Sequence, residues 1–250
     1  MATSGAVKGT MANAPVKLVV AQVRFERHPD VAASEFVTKF RGMVGDEYTQ
    51  IEQARVQQII AGPLGVVSEA PESGWTLATD DGTKISMLEG SVALEVTQYT
   101  SWEKFRSQLD DLLEALETAL SPATEQRIGL RYIDELTSPG DSLASWKGCV
   151  RDELLGPVLH ADLGEAITTI EQKVVFTYRD GSACLLRHGY SADPPLNNHY
   201  ILDTDVFRSV KGAYSGGNVR AAFDEFHSKA ESIFVGCLTP EYFEHLRKGE

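Results

Sequence analysis

No apolar run in this 250-residue chain approaches the roughly 20 residues needed to cross a bilayer. No membrane partner is therefore expected. Basic residues are in short supply, with 23 Lys and Arg against 36 Asp and Glu and a net charge of -13. Such a chain repels phosphate backbones, which argues against nucleic acid as a partner. Cysteine is scarce and odd in number: Cys149, Cys184 and Cys237 lie far apart, without a CxxC pair. That pattern excludes a disulfide framework and a zinc knuckle, and it suits buried thiols in a cytoplasmic protein. There is no GxGxxG, P-loop, HExxH or GxSxG motif, so no cofactor and no named reaction are indicated. Residues 1–14 have neither the apolar core of a signal peptide nor the arginines of a transit peptide, and read as a disordered leader.

The rest is ordinary globular material, with 42% hydrophobic residues and clear periodicity. Val16 to Glu26 alternates as a strand, with Val19, Ala21, Val23 and Phe25 on one face. A helix is expected from about Ala32 to Gly45. Strands follow at Arg55–Ala61, Gly74–Thr79, Thr83–Glu89 and Ser91–Thr100, with Asp80-Asp81-Gly82 as a hairpin turn. Ser101 caps the strongest helix, Trp102 to Leu120, whose stripe is Phe105, Leu109, Leu112, Leu113, Leu116 and Leu120.

The order then begins again. A strand spans Gln126–Leu136, broken at Ser138-Pro139-Gly140, and a helix spans Leu143–Leu155. Further strands are Ile167–Arg179, Ser182–Tyr190 and, after a Pro-bearing loop at 191–198, His199–Phe207. A flexible loop at Gly212–Gly217 precedes Asn218, read as the cap of a helix over Val219–Leu238, and a short helix follows Pro240. Each half carries similar charge: 10 basic against 17 acidic residues up to Pro122, and 13 against 19 beyond it. The expectation is an α+β fold of two related halves, 15–122 and 123–250, joined in one curved antiparallel sheet on two long helices. That topology resembles the saddle of TATA-binding-protein-like folds and, more loosely, helix-grip folds. Neither half is expected to be stable alone.

Alternation then decides which polar groups share the sheet face away from the helices. Arg24 and Arg131 fall there, at positions that match when VRF is laid on LRY. Glu95, Asp203 and Asp205 fall there too, and His199 shares the face of the two aspartates. These six form the candidate site for a ligand or partner, because an arginine fork suits carboxylate or phosphate. The plainer alternative is cross-strand ion pairing on a solvated face. His199, Asp203 and Asp205 are too spread along one strand for a single metal ion, so no metal is assigned. Gly216-Gly217-Asn218 before a helix is a weak anion-site candidate. His227, beside Phe226 and Ala230, reads as a boundary histidine.

VRFER near the start, RIGLRYIDEL at the centre, ILDTDVF and the terminal FDEFHSKAESIFVGCLT also carry a resemblance. Together they resemble a sporadically distributed prokaryotic family with no assigned activity, from about Pro15 to the C-terminus. Members of that family are expected to have Asn where this chain has Asp134. The resemblance implies an accessory role, in defence or biosynthesis, and supplies no site residues. The expected function is a non-enzymatic binding protein for a protein partner or small acidic ligand, on the sheet face or in the groove between the halves. The alternative is an enzyme with acid/base chemistry in a grip-like cavity, using His199 with Asp203 or Asp205. A third reading is a homodimer through open edge strands.

Overall fold

The computed structural model describes residues 11, 14–56, 59–62, 65–68, 71–137, 140, 143–191, 199–209 and 211–249. The expected leader lies outside these apart from Met11 and Ala14, as do the turn at Pro63, the break at Ser138-Pro139 and loop residues 192–198.

The chain is mixed α+β. The first strands are β1 (Val16–Phe25), β2 (Gln50–Val56), β3 (Ile59–Gly62), β4 (Gly65–Ser68), β5 (Glu72–Ala78), β6 (Thr83–Leu88) and β7 (Ser91–Val96). The remainder are β8 (Thr124–Thr137), β9 (Thr169–Thr177), β10 (Ala183–Ser191), β11 (His199–Arg208) and β12 (Gly212–Ala213). The helices are α1 (Ser34–Val44), α2 (Trp102–Leu120), α3 (Asp152–Leu155), α4 (Gly216–Cys237) and α5 (Pro240–Lys248). One antiparallel sheet runs β2-β5-β6-β7-β1-β8-β11-β10-β9, with β12 also pairing β8. β3 and β4 make a separate hairpin.

The strand alternation builds the layers. Val19, Ala21, Val23 and Phe25 are at most 1% exposed and pack with Ile128 and Leu130 against the long helices. From α2 come Phe105, Leu109, Leu113 and Leu116, and from α4 come Val219, Phe223 and Phe226. At about 25 cal/mol per Å² of apolar surface, this helix-on-sheet burial is the main driving force for folding. Ser101 caps α2 as expected, accepting from the Lys104 amide at 3.2 Å. A second cluster around Trp146, Tyr200, Leu202 and Leu246 extends the core beneath α5.

β1 and β8 hold the sheet together at its centre, with Ala21 opposite Leu130, Val20 opposite Arg131 and Arg24 opposite Arg127. Two turns on either side share one geometry. Thr79 N–H donates to the Thr83 carbonyl, and Tyr178 N–H donates to that of Ser182. In each, an aspartate side chain (Asp81, Asp180) accepts the amide two residues on. In each, glycine supplies the positive φ, 83° at Gly82 and 82° at Gly181. α2 and α4 also exchange ion pairs reciprocally. Arg106 on α2 reaches Asp224 on α4 at 2.9 Å, and Arg220 on α4 reaches Asp110 on α2 at 3.1 Å.

Four local expectations differ. The helix expected over Leu143–Leu155 is broken into a 3-10 turn at Leu143–Trp146 and the single turn α3. Gly148 takes a φ of 90° between them, and the segment is tied instead to the end of α4 by Arg151 N–H to the Cys237 carbonyl. Residues expected as one strand at Arg55–Ala61 divide between β2 and β3. The loop at Gly212–Gly217 contains β12 and the start of α4. Ser215, not Asn218, is the N-cap of α4. A Cβ on Gly216 would collide with the Glu117 carboxylate, so glycine there lets the first turn of α4 lie close against α2.

Candidate functional site

The sheet face away from the helices carries all six residues singled out from the sequence, and each has a partner within the chain. Arg131 Nε and Nη2 donate to the two oxygens of Asp203 at 2.6 and 2.8 Å, and Arg187 Nη1 adds a third bond at 3.1 Å. Arg127, which the sequence did not single out, grips Asp205 at 2.9 and 3.1 Å and lies over the Phe207 ring. Arg24 is 3.7 Å from Glu72, and Glu95 is 2.7 Å from Lys84. His199 Nδ1 is 3.0 Å from Glu135. Arg131 and Asp203 are thus brought together, while Arg24, Glu95 and His199 belong to separate pairs. The strand opposite Arg24 presents Arg127, so Arg24 and Arg131 do not face one another. Arg187 and His188 point to opposite faces, as alternation requires, and His188 bonds Tyr200 at 2.7 Å in the core.

The weaker candidates are also occupied by internal contacts. The start of α4 faces the Glu117 carboxylate, which accepts from Arg220 at 2.6 Å and from Tyr214 at 3.2 Å. All three cysteines are buried free thiols, and burial pushes Cys184 and Cys237 up to about 12. Among the described residues no group of His, Cys, Asp and Glu has metal-binding geometry, and no helix is long and apolar enough to cross a membrane.

On the helix side, however, the packing opens. A cavity of about 760 Å³ lies between the sheet and the facing parts of α2 and α4. Its floor is Tyr132 and Asp134 of β8 and Thr204 of β11, all buried. Its walls include Tyr99, Trp102, His227, Glu231 and Phe234, and its rim includes the exposed Glu103 and Ser228. Met11, Ala14 and Pro15 line one side. The volume falls within the range of about 300–1,000 Å³ found for small-molecule sites.

The walls are rigid and mostly aromatic. The His227 ring stacks on Trp102 at 4.2 Å with planes 9° apart, and its Nδ1 lies 3.0 Å from the Tyr132 hydroxyl. Tyr99 meets Tyr132 edge to face at 6.0 Å. Burial lowers the affinity of His227 for a second proton, so the neutral ring is favoured. The floor holds a carboxyl group of another kind. Asp134 is 4% exposed and has no hydrogen-bond or ion-pair partner among the described residues. Burial alone pushes its carboxyl up to about 7. Burial also raises Glu231.

The sequence carried signals for this site that periodicity did not separate from the core. Asp134 stands among inward positions that are otherwise apolar or aromatic (Ile128, Leu130, Tyr132, Leu136), and a charged residue in that register is the anomaly that marks the floor. Comparison with protein-family models, curated proteins and solved structures gave no significant match to this chain.

Proposed function

We propose that the chain is a small-molecule binding protein that takes its ligand in the cavity between the sheet and the long helices. The single observation that carries this reading is Asp134, a buried carboxyl without a partner among the described residues, on the floor of a roomy, aromatic-walled space. An unpartnered buried acid costs folding energy and is retained where a bound molecule completes it. The binding role expected from the sequence is kept, but its place moves from the ion-paired sheet face to the helix side.

We also read the two halves as an internal duplication, and that reading supports the site. Laying one half on the other puts β1 on β8, β7 on β11 and β6 on β10, and the turns at Gly82 and Gly181 and the reciprocal Arg–Asp pairs are consistent with that assignment. The helices agree in sequence: Phe105-Arg106-Ser107-Gln108-Leu109-Asp110-Asp111-Leu112 lies on Val219-Arg220-Ala221-Ala222-Phe223-Asp224-Glu225-Phe226. Under this map the cross-strand pair Val23 and Val92 corresponds to Tyr132 and Thr204. In this register Phe25 lies on Asp134 and Arg24 on Ile133, not on Tyr132 and Arg131 as the sequence match of VRF with LRY has it, and Leu113 lies on His227. The first half fills with core side chains the place that the second half leaves open. The stretches VRFER, RIGLRYIDEL and ILDTDVF support placing the chain with the sporadically distributed prokaryotic family that they resemble.

The test is ligand-observed NMR with small naphthyl compounds on the wild type and two variants. Ser228→Trp projects an indole from the rim without touching the core and is expected to abolish binding. Arg24→Gln combined with Arg131→Gln alters only the opposite face and is expected to leave binding intact. The reverse pattern in folded proteins would return the site to the sheet face.

Acid/base catalysis is the second reading, favoured by a carboxyl held near neutrality beside the Tyr132–His227 pair. It requires that a molecule bound by the wild type be converted over time, and that His227→Ala bind it without converting it.

A further inference from the structure

We infer that the cavity is selective for an organic cation, a protonated amine on an aromatic or otherwise apolar frame, with Asp134 as its counter-ion. This deepens the binding role proposed above and rests on it. The chemistry of the lining carries it. Four acidic side chains border the space (Glu103, Asp134, Asp224 and Glu231), and no Lys or Arg does so among the described residues. Among the described residues only Asp224 of these four already has a cation, Arg106, at 2.9 Å. An acidic ligand would bring a negative charge to a buried carboxyl with nothing to neutralise either. This departs from the small acidic ligand expected from the arginines of the sheet face.

The walls fit the same class. Trp102, Tyr99 and Tyr132 present aromatic surface, and indole and phenol rings attract cations through their negative π faces. His227 is stacked on Trp102 and kept neutral by its burial, so it adds ring surface without competing charge. Phe234 and Ala230 supply apolar contact for a hydrocarbon frame. An ammonium group on the floor would donate hydrogen bonds to Asp134 and replace the water lost on burial, a contact that a neutral hydroxyl makes only in part.

Three probes that share one ring separate charge from shape: naphthylethylamine, naphthylethanol and naphthylpropionate. Ligand-observed NMR and calorimetry on the full chain near pH 8 would measure each. The amine is expected to bind about tenfold more tightly than the alcohol, the difference one charge-assisted hydrogen bond supplies. The propionate is expected to give no measurable binding. Asp134→Asn is expected to bring the amine and alcohol within about twofold of each other by removing that charge. Arg24→Gln combined with Arg131→Gln, altered only on the opposite sheet face, is expected to keep the preference. If the alcohol binds the wild type as well as the amine, or the propionate binds best, the cavity stands and the cation is wrong. If none of the three binds to the folded wild type, the cavity reading itself falls.

Discussion

Val23 and Val92 face each other across β1 and β7, 1% exposed and sealed beneath α2. Tyr132 and Thr204 face each other in the same way across β8 and β11, but they open onto a cavity. The strands on both sides are equally regular, and the helices above them carry the same Arg-x-x-x-Asp spacing. What differs is side-chain chemistry on one patch. On the first side Phe25, Leu113 and Leu116 close the space with hydrocarbon. On the second, Asp134, His227 and Ala230 leave room and polar atoms. One side is filled with hydrocarbon, and the other leaves a buried carboxyl beside open space.

The comparison can be broken most forcefully at Asp134. Its carboxyl binds a proton more tightly in the folded chain, at about 7, than in the unfolded chain, at 3.8. Folded stability is therefore lost as pH rises from the unfolded carboxylate range through about 7. At about 1.36 kcal/mol per unit, the loss at pH 8 has an upper bound of about 4 kcal/mol. Asp134→Asn is expected to recover much of it near pH 8 and almost nothing near pH 4. Urea titrations at the two pH values would check this, and a pH-independent effect would contradict the proposed burial cost.

Next in size is Leu130→Ala, on the fully buried side of the central strand β8. Removing this core side chain is expected to cost about 3 kcal/mol at any pH, the usual price of such a cavity. Equal pH dependence in both variants would show that the sealed and the open parts of the inward face of β8 do not differ in the way described. The smallest effect belongs to the opposite sheet face. Asp203→Ala leaves Arg131 and Arg187 without their shared carboxylate, but both arginines are about two-fifths exposed. Solvent then takes up their charge, and a loss of about 1–2 kcal/mol is expected from chemical denaturation. A loss as large as that of Leu130→Ala would mean that the ion-paired face is as important to folding as the core.

Strand and helix identity were largely legible because alternation and the α2 stripe are strong local patterns. The break at Gly148 was not, because its cause is a tie between Arg151 and the end of α4, far away in sequence. The six polar residues of the sheet face were assigned correctly to one face by alternation. Their pairings were not legible, since Arg131 meets Asp203 through strand register, and sequence patterns leave register open. His227 looked like a boundary residue because its helix is amphipathic around it. Its hydroxyl partner on Tyr132 and its indole partner on Trp102 come from two other elements.

The amino-acid order alone determined the antiparallel α+β architecture, the buried faces and the acidic character. Each of these follows from local periodicity or from composition, which act without knowledge of distant contacts. Only the tertiary structure decided which charges neutralise one another and which carboxyl has no partner among the described residues. Burial and partnership are properties of chain segments meeting in space, so Asp134 is only an odd charge in an inward register until β8, α2 and α4 come together around it.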